Sequence, residues 1–391
     1  MPREDAQLIS TEREAAAADR KALAELAAEF ARREILPNVE AWEEAGELPR
    51  ELSKAAGEAG LLGLGYPEEL GGGGSHLDLM TVQEEMIMRG VPTGVIASLF
   101  THGIAVPSIV AHGTEDQKRR FVRPALKGEL IGALAVTEPG GGSDVASLTT
   151  KAVRDGDHYV VNGTKTFITS GARADFVTTA VRTSAAEKPH QGISLLVIER
   201  GTPGFTVSRK LEKMGWRSSD TAELSFADAR VPAANLVGPE NQGFWLIMQQ
   251  FQSERLSMAL QCAAVARRCT DLTIDWARNR ETFGRPLSSR QVVRHKIAEM
   301  ARQADVARSY VWAIARKWEN GEDVITEVSM AKNTAVYAVE HVVHEAVQLH
   351  GGMGFMRESE VERHYRDIRV MGIGGGTNEI MNEIIAKRIG L

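Results

Sequence analysis

The chain has 391 residues, 43% of them hydrophobic and 25% charged, and a formal charge of -6. That length allows two or three domains around a sizeable core, while the acidic balance and the lack of any Lys/Arg block argue against a nucleic-acid binder. No run of eighteen apolar residues is available to span a bilayer. The start is rich in Glu and Asp, unlike a signal or transit peptide, so a cytoplasmic location is expected.

In chain order, residues 1–128 read as a helical domain. The opening "MPREDAQLISTEREAAAADRKALAELAAEF" predicts an amphipathic helix, and "LDLMTVQEEMIMRG" repeats the three- and four-residue apolar spacing after a Gly/Pro-rich break. The texture changes over 129–238. "LIGALAVTE", "HYVVNG", "FVTTAVR", "GISLLVIE" and "AELSFADARV" are short and rich in β-branched residues. "RDGDHYVVNGTKTFIT" carries a D-G and an N-G dipeptide, each a hairpin signal. From 239 to 391 the helical period returns, with short links that suggest an up-and-down bundle. The expected fold class is therefore multidomain α+β: an N-terminal helical domain, a middle antiparallel β-barrel and a C-terminal four-helix bundle.

Several stretches invite chemistry, and each has a plain structural alternative. Cys262 and Cys269 are seven residues apart on one predicted helix, about 10 Å by rise and too far for a disulfide. "AVTEPGGGSD" (135–144) ends a strand in a glycine-rich turn, flanked by the hydroxyls of Thr137 and Ser143. It lacks the spacing of a dinucleotide fingerprint. "RNRETFGRP" (278–286) is either a capped helix end or an arginine held for a pyrophosphate. His350 in "QLHGGMGF" has no partner at metal-ligand spacing.

"FQSERL" (251–256) is the most pointed. Ile247, Phe251, Glu254 and Met258 fall at i, i+4, i+7 and i+11, so a carboxylate interrupts an apolar helical ridge. One reading is an ion pair. The other is a poorly solvated general base with its pKa pushed upward.

Taken together, "GTEDQKRRFVRPALKGE", "AVTEPGGGSD", "NGTKTFITSGARAD", "KMGWRSSDTAEL", "RNRETFGRP", "QLHGGMGF", "ERHYRDIR" and "GTNEI" cover essentially the whole chain. In that order they resemble the acyl-CoA dehydrogenases, flavoproteins that convert acyl-CoA thioesters to trans-2-enoyl-CoA. The resemblance implies FAD between the barrel and the bundle. Leu134, Val136, Thr137, Gly142 and Ser143 would line its flavin, with Phe167 and Thr169 on the other side. Arg280, Phe283, Gln291, Gln348 and Gly352 would hold its pyrophosphate and adenosine across a subunit boundary, and Thr377 and Glu379 would touch it from the last turn. A homotetramer and an electron-transferring flavoprotein as acceptor follow from the same likeness.

Many members carry the catalytic glutamate in the glycine-rich loop, where this chain has Gly375. The isovaleryl-CoA and long-chain branches carry it on the bundle helix before an arginine, which here is Glu254 followed by Arg255. Glu254 is thus the expected base, taking the pro-R α-proton while the β-hydride passes to flavin N5. Ser143, Phe251, Arg255, Gly374 and Gly375 are the expected substrate contacts, with the Gly375 N–H kept for the thioester carbonyl. The two glycines leave room for a medium, long or branched acyl chain. The competing readings are an acyl-CoA oxidase, a non-catalytic FAD- or CoA-binding partner subunit, and a related flavoprotein acting on nitroalkanes or other non-CoA substrates.

Overall fold

The computed structural model describes residues 18–391, so the first part of the expected opening helix lies outside the described residues. Residues 18–30 are helical. Helix α1 (His76–Met88) starts at a capping box: the Ser75 hydroxyl accepts from the Asp78 N–H, and the Asp78 carboxylate accepts from the Ser75 N–H. Helix α2 (Thr93–Leu99) is apolar almost all round and correspondingly buried.

The helical part meets the first strand through a tight backbone contact. Gly128 has φ +70°, and a Cβ added there would lie 1.9 Å from the Ser53 carbonyl oxygen. Gly128→Ala combines a left-handed backbone with overpacking, and is expected to remove about 2–3 kcal/mol of stability. Urea unfolding monitored by circular dichroism measures it.

Eight strands form the middle sheet: β1 (Gly132–Ala135), β2 (Lys151–Asp155), β3 (His158–Thr169), β4 (Phe176–Arg182), β5 (Ile193–Glu199), β6 (Phe205–Lys210), β7 (Thr221–Pro232) and β8 (Leu236–Val237). The hydrogen-bonded path runs β6-β7-β3-β2-β4-β5-β8, and β1 joins β4. Most pairs are antiparallel, but β1 and the start of β2 run parallel to β4, so the sheet is mixed. The departure from the expected antiparallel barrel has a topological cause. The chain leaves β1 by a long loop, not a hairpin, and reaches β4 only after the β2–β3 hairpin, so β1 and β4 can run the same way. Residues 176–181 of β4 and 193–198 of β5 are buried without alternation, because these central strands are covered on both faces.

The two turn dipeptides behave differently. Asp155 pairs with His158 across a tight turn at Gly156, a hairpin as the D-G signal predicts. The N-G dipeptide instead sits inside the twelve-residue β3, at a register shift between Val161 and Gly163. There Asn162 donates its amide to Asp228 Oδ1 at 3.0 Å and accepts from the Asp228 N–H at 2.9 Å. Cross-strand pairing to β7 turns this hairpin signal into a bulge.

The C-terminal part consists of α3 (Gly243–Asn279), α4 (Gln291–Glu319), α5 (Ile325–His350) and the shorter α6 (Glu360–Ile368) and α7 (Asn378–Arg388). The buried face of α3 is rich in small residues: Ala259, Ala263, Ala264 and Ala266 are fully buried, as are Ala331 and Ala335 on α5. Such residues let helix axes approach closely. A two-strand ribbon, β9 (Glu281–Thr282) with β10 (Arg285–Pro286), links α3 to α4. One apolar core joins the N-terminal helices to this bundle, and a second joins them to the sheet and the start of α3. The sheet's strand ends and the beginning of α3 therefore share an apolar wall. Among the described residues no helix is long and apolar enough to cross a membrane.

Candidate active site

The apolar ridge of α3 folds as its spacing implies. Ile247 and Met258 are buried, while Phe251 and Glu254 lie half-buried between them. The Glu254 Oε2 atom is shielded from solvent and has no hydrogen-bond partner among the described residues. Burial pushes this carboxyl above the usual glutamate range; the nearby charges of Arg255 and Lys332 pull it back without cancelling the effect. An ion pair that quenched Glu254 would have given the opposite shift.

The glycine-rich loop lies against this carboxylate. A Cβ built on Gly375 would stand 3.7 Å from Glu254 Oε1 and 2.6 Å from Met258 Sδ. A side chain rooted at position 375 and the side chain rooted at 254 therefore reach toward the same place. Gly375 and Gly376 have φ of +63° and +94°, a conformation glycine adopts without steric penalty. Their carbonyls are taken: Arg255 Nε donates to the Gly375 oxygen at 3.0 Å, and Lys332 Nζ donates to the Gly376 oxygen at 2.6 Å. The N–H groups of Gly375, Gly376 and Thr377 donate to no described residue. Thr377 caps α7, its hydroxyl accepting from the Ile380 N–H at 3.3 Å, and Glu379 lies exposed in the first turn.

Arg255 is buried, its guanidinium 5.6 Å from the centre of the Phe251 ring. Its observed partner is the loop carbonyl. Phe251 itself packs in the cluster that holds Val136, with Leu134 alongside. The end of β1 is thereby brought to the wall on which Glu254 sits.

Thr137, Gly142 and Ser143 follow β1, and their turn is tied to β3 by the Thr166 N–H donating to the Thr137 carbonyl at 2.9 Å. This places Phe167 and Thr169 beside the same turn. Phe167 has φ +59° and is 69% exposed, a bulky aromatic held open in a backbone region few side chains adopt. Two residues behind the turn were not singled out from sequence. The fully buried Lys165 donates to Glu138 Oε1 at 2.9 Å and to the Val136 carbonyl at 2.9 Å, and the N–H groups of Thr149 and Thr150 also donate to Glu138. Burial opposes ionisation of Glu138, but Lys165 and the threonine donors outweigh it and hold the carboxyl at about 2.

A third group stands apart. Arg280 lies about 39 Å beyond Glu254 along α3, 26 residues at 1.5 Å each. Its guanidinium is 5.9 Å from the Trp276 ring, and Trp276 Nε1 donates to the Leu349 carbonyl, so Arg280 and the exposed Gln348 and Gly352 belong to the same end of the bundle. Phe283, at the tip of the β9–β10 ribbon, is 96% exposed. Gln291 lines a hollow of about 470 Å³ with His295, Lys296, His341 and Glu345. One chain does not bring this group to Glu254.

Lys332 is the other residue missed in sequence. It interrupts the apolar face of α5, where Val328, Ala331, Ala335, Val336 and Val339 are all fully buried. The same periodicity argument that selects Glu254 selects it.

Three family models match in succession: "Acyl-CoA dehydrogenase, N-terminal domain" over residues 17–129, "middle domain" over 133–229 and "C-terminal domain" over 241–390. The long-chain specific acyl-CoA dehydrogenase of Rattus norvegicus is 41% identical over 92% of this chain and 84% of its own length. The crystal structure of a probable acyl CoA dehydrogenase from Mycobacterium abscessus is 64% identical, with a TM-score of 0.94 over 95% of this chain and 99% of that one. A structure of PigA with FAD and proline is 25% identical, with a TM-score of 0.91 over 95% of this chain and 98% of its own. The chain belongs to the acyl-CoA dehydrogenase family, and is an oxidoreductase of that flavoprotein class.

Proposed function

We propose that this chain uses FAD to dehydrogenate acyl-CoA thioesters at the α,β bond, with Glu254 as the base. The observation that carries the reading is the half-buried Glu254 carboxylate, one oxygen unpartnered, beside a glycine loop with unused N–H groups. Removing an α-proton next to a thioester needs a base that is poorly solvated and a donor for the carbonyl oxygen as charge develops there. Glu254 supplies the first and the Gly375 N–H the second. Gly374 and Gly375 put no side chain of their own in front of Glu254, where only the flexible thioether of Met258 reaches toward Gly375. That freedom, with the likeness to a long-chain relative, supports a medium-chain, long-chain or branched acyl group. Ser143, Phe251 and Arg255 complete the proposed substrate wall, Arg255 acting through its hold on the loop.

The residues fit FAD. Thr137, Gly142, Ser143, Phe167 and Thr169, with Leu134 and Val136 beneath, offer an open edge with hydroxyls and a bare aromatic face, as a flat heteroaromatic needs. Thr377 and Glu379 flank the loop, and the exposed Arg280, Phe283, Gln291, Gln348 and Gly352 suit the diphosphate and adenosine. When bound, FAD would accept the β-hydride. The separation of that last group from Glu254 within one chain supports a shared site in a homotetramer. An electron-transferring flavoprotein as acceptor and a cytoplasmic location are parts of the same reading. So is a domain division at 128/129 and 238/239, supported by the change from helix to strand after Leu126 and back before Gly243.

An anaerobic titration of the purified yellow protein with butyryl-, isovaleryl-, octanoyl- and palmitoyl-CoA tests the reading. Bleaching of the flavin band by one class supports it and names the substrate; a flavin that stays oxidised with all four overturns it. The pH dependence has a definite sign. The Glu254 pKa is raised by burial, so the base forms only as pH rises through a value above the ordinary 4.5. The rate of flavin reduction should therefore climb on an acid limb displaced above that value, and stopped-flow reduction across pH 4.5–8.5 measures it.

A further inference from the structure

Two successive carbonyls of the glycine loop are held by two cations on two different helices, Gly375 by Arg255 of α3 and Gly376 by Lys332 of α5. Within a trans peptide the N–H points opposite to the C=O, so holding these two carbonyls also aims the N–H groups of Gly376 and Thr377 away from the cations. The glycines carry no side chain to anchor the backbone. The anchoring must come from outside the loop.

Lys332 is fully buried, inside an apolar helix face where an unpaired ammonium is unfavourable. Glu254, Arg255 and Cys262, all on α3, are the titratable groups that act on it, and α4 and α7 add no charge that does. Cys262 is held neutral by burial, its thiol pushed up to about 12. Around the carboxylate there are thus two cations for one anion. The surplus positive charge favours both the ionised base and the negative charge that develops on a thioester oxygen.

We propose that Lys332 is a positioning residue for proton abstraction, fixing the loop through the Gly376 carbonyl and, as the second cation behind Glu254, keeping that carboxylate ionised. The proposal rests on Glu254 being the base. Burial also lowers the Lys332 pKa to about 8, so near neutrality the ammonium remains charged.

The test uses the holoprotein and two assays across pH. The first is reduction of the flavin by octanoyl-CoA. The second is exchange of the α-protons of 3-thia-octanoyl-CoA with D2O, followed by proton NMR; this analogue has sulfur in place of the β-CH2 and no β-hydride to give. Lys332→Met and Lys332→Gln should lower kcat about tenfold or more, with KM changing far less, and should move the acid limb of both assays to higher pH. Lys332→Arg keeps the charge and should keep the limb near its wild-type position. A limb unmoved in K332M and K332Q, whatever the loss of rate, makes Lys332 a structural residue only and overturns the proposal; should K332M not fold, K332Q and K332R decide it between them. Glu254→Gln runs in parallel. An active, exchange-competent E254Q overturns the base reading itself, whereas a dead E254Q with unshifted Lys332 variants overturns only the role of Lys332.

Discussion

Glu254→Gln should abolish flavin bleaching by acyl-CoA while the protein remains yellow. A positioned general base contributes about 10²–10⁴-fold; Glu254 is the carboxylate that faces Gly375, whereas Glu340, at the Gly372 end of the loop, is paired with Arg369. The amide is nearly the same size, so α3 and the Arg255 contact to the loop should persist. Stability should change in the opposite direction from activity. A carboxyl whose pKa is raised on folding contributes stability below its unfolded pKa and loses it as pH rises through the folded value. Above its folded pKa the ionised Glu254 is therefore a burden on the fold, and E254Q should melt at a higher temperature than wild type, by a margin that grows as pH rises. A variant that keeps more than a tenth of the wild-type reduction rate would remove Glu254 from the mechanism. One that loses flavin as well would show a structural role.

Lys165→Met should be the most destabilising single change near the cofactor edge. Lys165 is wholly buried and Glu138 nearly so, and removing one partner of such a pair leaves an uncompensated charge, typically at about 3–5 kcal/mol. The loss should be concentrated in the turn that carries Thr137 and Ser143, because Lys165 also holds the Val136 carbonyl. Weakened flavin retention after gel filtration should therefore accompany the lowered unfolding midpoint. Adding Glu138→Leu to Lys165→Met removes the stranded carboxylate and should recover part of the stability; a double variant worse than the single one would contradict the pairing argument. The pH sign follows from the depressed carboxyl. Glu138 contributes stability above the ordinary glutamate value of 4.5 and loses it as pH falls toward about 2. Acid unfolding of wild type should be steepest in that window, and flatter in the double variant.

Periodicity and turn chemistry were enough to read the order of helical, strand and helical segments, because each depends on neighbours a few residues apart. The strand β4 coincides with "FVTTAVR" for that reason, and the Asp155–Gly156 hairpin likewise. Glu254 was legible too, since a carboxylate on an apolar ridge is a local contradiction, and Lys332 on α5 is the same contradiction left unread. What local pattern could not decide was anything set by partners distant in the chain. The N-G at 162–163 became a bulge because β7 pairs across it, and β1 runs parallel to β4 because of how the chain returns. Arg255 turned out to hold the loop carbonyl 120 residues away. Lys165 found Glu138 across the turn after β1, a pairing that no local pattern singles out. Tertiary partners and burial together decided these cases. Both are properties of the packed whole: burial makes Glu254 a proposed base, while Lys165 and the threonine donors, against burial, make Glu138 a strong acid, though the two glutamates are the same residue type in sequence.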